Sequence, residues 1–515
     1  MAEVIAALKH GANNWPDRIA FRDDEGELSY AGLARRVAGA MEILARDNAP
    51  IGLAGRNGAA GGLTAESAPI GLMAENGIDW VVADLAATAS GRRFVPLPPF
   101  FSDDQLSHVV RDAGIGLILA SPAMHERAAR FGCAQPVPKA ESGVQSLDAA
   151  ISGERVIYTS GSTGQPKGVR LGEAQLDHVS RGLAKAISAT ESDSYLSVLP
   201  FPLLLEELCG IHVPLMVGGV STIRKDVAAQ CAGGNLDAIR LAFDEVQPSV
   251  SVLVPELLRA WVGSLILSGA RAPSSLRVVA VGGAPVPPQV LNAATELGIP
   301  CLEGYGLSEC GSVVAVNRPG AATPGTVGKP LDGLTVTISG GEIVVEGPSV
   351  MTGYVGQPDL EGPWRTGDLG YFDDAGNLVI EGRKDAMIVT GFGRNVQPEW
   401  IEAQLQGDPR ILRATLAGHG RSYPTVLIVP GAFAGDFFTA ARPGEVLSAL
   451  QQICAGLPDY ALPRNYIAMT GDEMQSLGLT SPNGRVRRKA VEAWLRTADA
   501  QSRSKTAPVP EEVSI

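Results

Sequence analysis

The chain has 515 residues, of which 45% are hydrophobic and 19% charged, and its formal net charge is −13. That length exceeds one ordinary core, so two or more soluble domains are expected; the acidic balance argues against a broad nucleic-acid surface and leaves anionic substrates to local basic pockets. Six cysteines without a CxxC pair and six histidines without metal spacing favour reduced, mostly buried thiols in a cytoplasmic enzyme over a disulfide framework or zinc site.

The N-terminus is acidic early and lacks a basic-then-apolar pattern, so no signal peptide is expected. A helical pattern (Val4, Ile5, Leu8) precedes a strand at Arg18–Arg22, a strand at Leu28-Ser-Tyr and an amphipathic helix from Ala31. From Pro69 to Pro98 the pattern reads strand (Ile70–Met73), helix (Ile78–Ala89), strand (Phe94–Leu97), a βαβ rhythm that predicts a parallel sheet. Gln105–Ala113 and Ile115–Ala120 continue it, and residues 134–153 read as a loop.

The strand candidate Arg155-Val-Ile-Tyr-Thr opens into Tyr158-Thr-Ser-Gly-Ser-Thr-Gly-Gln-Pro-Lys167-Gly-Val. Three glycines, four hydroxyl residues and a lysine in that order suit a loop wrapped around phosphate. The glycines allow close backbone approach, exposed N–H groups form an anion-binding concavity, and the lysine adds a point charge. It is not a Walker A loop, because Gln-Pro separates Gly164 from Lys167 and a glycine follows the lysine.

This stretch resembles the phosphate-loop signature of the adenylate-forming (AMP-binding) superfamily, which includes acyl-CoA synthetases, nonribosomal-peptide adenylation domains and beetle luciferases. The resemblance implies that Thr159, Ser160, Gly161, Ser162, Thr163 and Gly164 bind ATP or AMP and that Lys167 is catalytic. After a helix over Leu176–Ala189 and a strand from Ser194, Phe201-Pro-Leu-Leu-Leu-Glu-Glu207 occupies the place where the family begins its acyl pocket. Phe201, Leu203, Leu204 and Gly282 are the implied pocket residues, with a buried helix start as the alternative reading of Phe201–Leu205. Amino-acid-activating members carry Phe-Asp where this chain has Phe201-Pro202, so a substrate ammonium would go unpaired and α-amino acids are poor candidates. The apolar stretch Leu196–Ile223 is broken by charged residues, proline and glycine, so no membrane span is expected, and His212 within it reads as a satisfied core residue.

The apolar strand from Leu276 ends in Gly282-Gly283-Ala284-Pro285, which resembles the family's adenine-side loop. Glu303-Gly304-Tyr305-Gly-Leu-Ser308-Glu309 matches Tyr-Gly-x-Thr-Glu with serine for threonine. It implies an adenine stacked on Tyr305, the α-phosphate near Ser308, and magnesium on Glu309. Pro324–Pro330, Gly341–Gly347 and Gly353-Tyr354 resemble a barrel-like subdomain with no assigned chemistry. Trp364-Arg-Thr-Gly-Asp368 implies ribose binding by Asp368 on a fixed turn, with Arg383 as a second ribose contact. Asp385 is the implied hinge, and Gly391 and Gly393 the implied lining of the thiol tunnel. Near the C-terminus Gly484-Arg485 stands where the family has Gly-Lys. Arginine keeps the charge but changes reach and fork geometry, and Lys489 lies a helical turn beyond.

The resulting expectation is an α/β protein. A large N-terminal domain of αβ layers with a β-barrel-like subdomain spans 1–383, a small mobile C-terminal α/β domain spans 384–498, and 499–515 form a disordered tail. The pattern is that of an AMP-forming acid–thiol ligase using ATP, Mg2+ and coenzyme A, with an aliphatic acid as substrate. Transfer to the phosphopantetheine of an acyl or peptidyl carrier protein is the alternative. A degenerate adenylate-binding member or single half-reaction enzyme, motivated by Arg485, and a luciferase-like oxidative enzyme are the rival classes.

Overall fold

The computed structural model describes residues 2–46, 68–142, 147, 153–160, 165–431, 433–455, 457–480 and 486–503. The chain divides into two compact units. The first comprises Met1–Val286, Val290–Thr366 and Tyr371–Ile380; the second comprises Pro287–Gln289, Gly367–Gly370 and Glu381–Ile515.

Two sheets frame the first unit. The nine-stranded sheet runs in the order Lys329–Pro330, Ala315–Val316, Cys301–Tyr305, Val278–Val281, Val250–Leu253, Ser194–Ser197, Val220–Ile223, Ile19–Asp23, Gly26–Ser29. Its central strands are parallel. The seven-stranded sheet runs Gly353–Tyr354, Pro166–Gly172, Glu154–Ser160, Phe94–Pro96, Ile70–Met73, Leu117–Ala120, Ala134–Pro136. The expected βαβ run is present: Ile70–Met73 pairs in parallel with Phe94–Pro96, and the helix between them spans Ile78–Ala89. All four residues of Ile70–Met73 are buried, as a parallel strand covered on both faces requires. The loop expected over 134–153 begins with a short strand, because Ala134–Pro136 pairs with Ile118–Ala120.

The β-rich stretch is not a barrel. Its strands form an open four-stranded sheet in the order Thr335–Ser339, Glu342–Glu346, Trp364–Phe372, Leu378–Arg383. Two pieces assigned to it pair elsewhere. Lys329–Pro330 pairs with Ala315–Val316 at the edge of the nine-stranded sheet, and Gly353–Tyr354 pairs with Val169–Arg170 at the edge of the seven-stranded one.

The second unit is built on a sheet of Ile411–Ala417, Thr425–Pro430 and Asn465–Ala468, the first pair antiparallel and the second parallel. The helix Pro398–Gln406 contributes Ile401 and Leu405 to the core. The last helix, Arg488–Arg503, buries Val491 and Leu495 four residues apart, the spacing of one apolar face. It continues beyond 498 into the expected tail, where Ala-Asp-Ala-Gln-Ser-Arg carries no helix breaker before Pro508. No helix among the described residues is long and apolar enough to cross a membrane.

Candidate active site

The phosphate-loop stretch is a hairpin. Glu154–Ser160 and Pro166–Gly172 pair antiparallel over their whole length, with Thr159 opposite Lys167 and Ser160 opposite Pro166. Gly161, Ser162, Thr163 and Gly164 lie outside the described residues. Tyr158, expected at the start of the loop, is a buried strand residue whose hydroxyl donates to Asp112 Oδ2 at 2.6 Å. Gly168 admits no side chain: a Cβ there would stand 2.7 Å from Val355 and 2.8 Å from the Tyr158 ring. That close packing fixes the strand that carries exposed Lys167.

Lys167 and Glu309 meet around a residue to which the sequence assigned no chemistry. Tyr354, on the edge strand beside Pro166–Gly172, donates its hydroxyl to Glu309 Oε1 at 2.8 Å. The Lys167 ammonium lies 5.5 Å from the centre of the same ring, within cation–π range. Ser308 and Glu309 sit in a short 3-10 turn, Ser308–Cys310, and the Met351 N–H donates to the Glu309 carbonyl at 2.8 Å. The Glu309 carboxylate is a hard-oxygen donor, which fits magnesium.

The adenine-side loop and the Tyr305 segment are neighbours. Their strands, Val278–Val281 and Cys301–Tyr305, pair in parallel with Val281 opposite Glu303. Gly282 is buried, and a Cβ on it would stand 3.1 Å from the Gly304 carbonyl oxygen. Gly283 takes φ +86, a backbone that glycine adopts without strain, and Ala284 and Pro285 are exposed. The Glu303 carboxylate accepts from the Gly325 N–H at 3.4 Å, and burial pushes its pKa up to about 7.

In the second unit Asp368 is 7% exposed and lies within the strand Trp364–Phe372. It is not on a turn, because Thr-Gly-Asp is part of a nine-residue strand. Arg383 reaches Asp368 Oδ1 with Nη1 at 3.1 Å and Asp385 Oδ1 with Nε at 3.3 Å. Burial pulls the Arg383 pKa down, but the two carboxylates outweigh it and the net shift is upward. Glu399, absent from the sequence reading, accepts the Arg383 N–H at 3.0 Å. Asp385 is exposed in the 3-10 turn Lys384–Ala386. Gly391 and Gly393 flank exposed Phe392 at the tip of the hairpin formed by Ile388–Val389 and Asn395–Val396. Arg485 lies outside the described residues.

The residues named for the acyl pocket are placed apart. Phe201 is fully buried with its ring 5.0 Å from that of Trp80, Leu204 packs beneath the phosphate hairpin, and half-buried Leu203 packs against the core of the nine-stranded sheet. An apolar cavity of about 40 Å3 lies on the face of that sheet, with Leu183, Tyr195, Cys209, Val213, Val252 and Ala280 in its wall. Burial pushes the Cys209 thiol up, so it is protonated and behaves as an apolar wall. His212 is buried but only half satisfied. Its Nδ1 is 3.4 Å from Ser180 Oγ, while Nε2 has no hydrogen-bond partner among the described residues. Burial and then Arg155 lower its pKa to about 3, so it is neutral.

The family model described as AMP-binding enzyme matches residues 8–355, and that of the AMP-binding enzyme C-terminal domain matches 385–498. The long-chain-fatty-acid–CoA ligase FadD15 of Mycobacterium bovis is 27% identical across 80% of this chain and 84% of its own. A 2-succinylbenzoate–CoA ligase of Bacillus cereus is 32% identical across 55% of this chain and 60% of its own. Among solved structures, the o-succinylbenzoate CoA synthetase MenE of Bacillus subtilis with its acyl-adenylate intermediate aligns with a TM-score of 0.75 at 22% identity, covering 94% of this chain and 97% of that one. The anthranilate CoA ligase AuaEII with anthranoyl-AMP gives 0.77 at 18% identity, covering 97% and 98%; likenesses this remote speak to the fold alone. With the phosphate hairpin, the Tyr305–Glu309 segment and both family domains in place, the chain belongs to the AMP-binding, adenylate-forming enzyme family and is an acyl-CoA synthetase-like, AMP-forming ligase.

Proposed function

We propose that the protein activates an apolar, aliphatic carboxylic acid through its adenylate and transfers the acyl group to the thiol of coenzyme A. The observation that carries the first half is the gathering of Lys167 and Glu309 around Tyr354 beside the phosphate hairpin. In adenylation, a carboxylate oxygen attacks the ATP α-phosphorus, the bond to the β-phosphate breaks and pyrophosphate leaves. Lys167 is assigned the negative charge gathered at the α-phosphate, Ser308 its orientation, and the resemblance assigns the loop N–H groups and Arg485 to the same charge. Glu309 would hold magnesium, which when bound neutralises phosphate charge. Asp368 and Arg383 are assigned the ribose hydroxyls, and Gly282–Pro285 with Tyr305 the adenine. In the second step the thiol sulfur attacks the acyl carbon, its proton is lost and the bond to AMP breaks. Gly391 and Gly393 are assigned to the thiol's path and Asp385 to the hinge that separates the two chemistries.

The apolar cavity supports the choice of acid. Ala280, in its wall, lies on the strand Val278–Val281 that leads into Gly282. A polar tail seated in this cavity would lose its hydration among these side chains without replacement.

Acid-dependent exchange of labelled pyrophosphate into ATP, without thiol, tests the reading across fatty, aryl and amino acids. Exchange confined to aliphatic acids is expected, followed by AMP release on adding coenzyme A. Exchange with those acids but transfer only to a carrier protein would replace the acceptor. No exchange from protein that binds ATP would overturn the ligase reading and direct attention to Arg485.

A further inference from the structure

We propose that Tyr354 is a positioning residue for the metal carboxylate, an inference that rests on Glu309 holding magnesium. Glu309 stands on a turn of three residues, too short to fix a flexible side chain by itself. The Tyr354 hydroxyl donates to Oε1 at 2.8 Å, which selects one carboxylate rotamer and leaves Oε2 outside that bond. The hydroxyl is itself well placed: Tyr354 pairs with Val169, next to Gly168, and the Val355 N–H donates to the Gly168 carbonyl at 2.8 Å. A second tie closes the loop, since the Met351 N–H donates to the Glu309 carbonyl. Strand register therefore carries the position of Lys167 to the carboxylate, and one ring serves both: its face lies toward the ammonium and its hydroxyl toward Glu309. Hydrogen bonds to a ligating carboxylate fix its orientation, and their loss commonly costs metal affinity by about tenfold or more.

The readout is the gain in nucleotide affinity produced by metal, measured by equilibrium binding of the non-cleavable α,β-methylene analogue of ATP in Mg2+ and in EDTA. Tyr354→Phe keeps the ring and removes the hydroxyl. It is expected to cut the Mg2+-dependent gain about tenfold while leaving affinity in EDTA unchanged. In pyrophosphate exchange its half-saturating Mg2+ rises by a similar factor, and the maximum rate returns at high Mg2+. Tyr354→Leu, which also removes the ring over Lys167, is expected to lower affinity in EDTA as well. Glu309→Gln separates the two levels of the argument. If it abolishes the Mg2+-dependent gain while Tyr354→Phe preserves it, the role of Tyr354 is overturned and that of Glu309 stands. If Glu309→Gln keeps the gain, both fall, whatever Tyr354→Phe does.

Discussion

Arg155 and Glu207 form an ion pair almost wholly out of solvent, with side chains 3% and 0% exposed. The other arm of Arg155 reaches Asp84 Oδ1 at 2.5 Å and Thr88 Oγ1 at 3.0 Å, and its guanidinium lies 4.8 Å from the Phe94 ring centre. One arginine on the strand leading to the phosphate hairpin thus ties that strand to the helix Ile78–Ala89 and to the turn before the π-helical segment Leu208–His212. Two carboxylates share one guanidinium, and burial pushes the Asp84 carboxyl up despite Arg155. Arg155→Ala leaves both acids buried without a partner and is expected to cost about 3–5 kcal/mol in urea unfolding. The triple change Arg155→Met, Asp84→Leu, Glu207→Leu removes every charge and is expected to cost less than Arg155→Ala alone.

Glu206, beside this pair in sequence, is fully buried and accepts the Tyr195 hydroxyl at 3.1 Å. Burial pushes its carboxyl from an ordinary 4.5 up to about 8. The folded protein therefore keeps a proton that the unfolded chain releases, and stability attributable to Glu206 falls as pH rises between those two values. Glu206→Gln cannot ionise. In denaturant titrations its stability relative to the parent is expected to rise across that window and level off above it. A constant difference at all pH values would show that Glu206 is ionised in the fold.

Asp368 and Arg383 bear on nucleotide binding. On the proposed assignment of Asp368 to the ribose, Asp368→Ala removes an acceptor for two hydroxyls, and at about 1–1.5 kcal/mol each the KM for ATP is expected to rise roughly a hundredfold. Its effect on kcat is expected to be small, because the ribose takes no part in bond making. Loss of kcat at unchanged KM would place Asp368 elsewhere in the cycle.

These relationships divide by how local their causes are. The helix Ile78–Ala89 and its flanking strands were legible because continuous apolar runs and a 3.6-residue period are properties of neighbouring residues. The family match was legible for the same reason, since motif residues such as Tyr305, Ser308 and Glu309 lie within one short segment. Tyr354 was not, because its role comes from a two-residue strand pairing with Val169 far upstream. Nor was the Arg155 pair, whose partners lie 52 and 71 residues away. The environment of Phe201 was not legible either: it follows the strand Ser194–Ser197 closely in sequence, yet its ring packs on Trp80, far upstream. Asp368 follows Thr-Gly, a pair that reads as a turn, but it belongs to a strand.

The apolar cavity gives a prediction about chain length. Its wall combines Val252 and Ala280 on neighbouring strands with Leu183, Cys209 and Val213 on helical segments. Ala280 is the smallest of these, so enlarging it fills the cavity most directly. Each buried methylene contributes about 0.8 kcal/mol, roughly fourfold in kcat/KM. For the parent protein, pyrophosphate-exchange efficiency is therefore expected to climb by about that factor per carbon until the cavity is filled. Ala280→Leu should truncate the climb by several carbons while leaving the shortest accepted acids nearly unaffected. An equal loss for short and long acids would mean that the acyl chain runs elsewhere and that the cavity is only a packing defect, in which case filling it with leucine should raise stability instead.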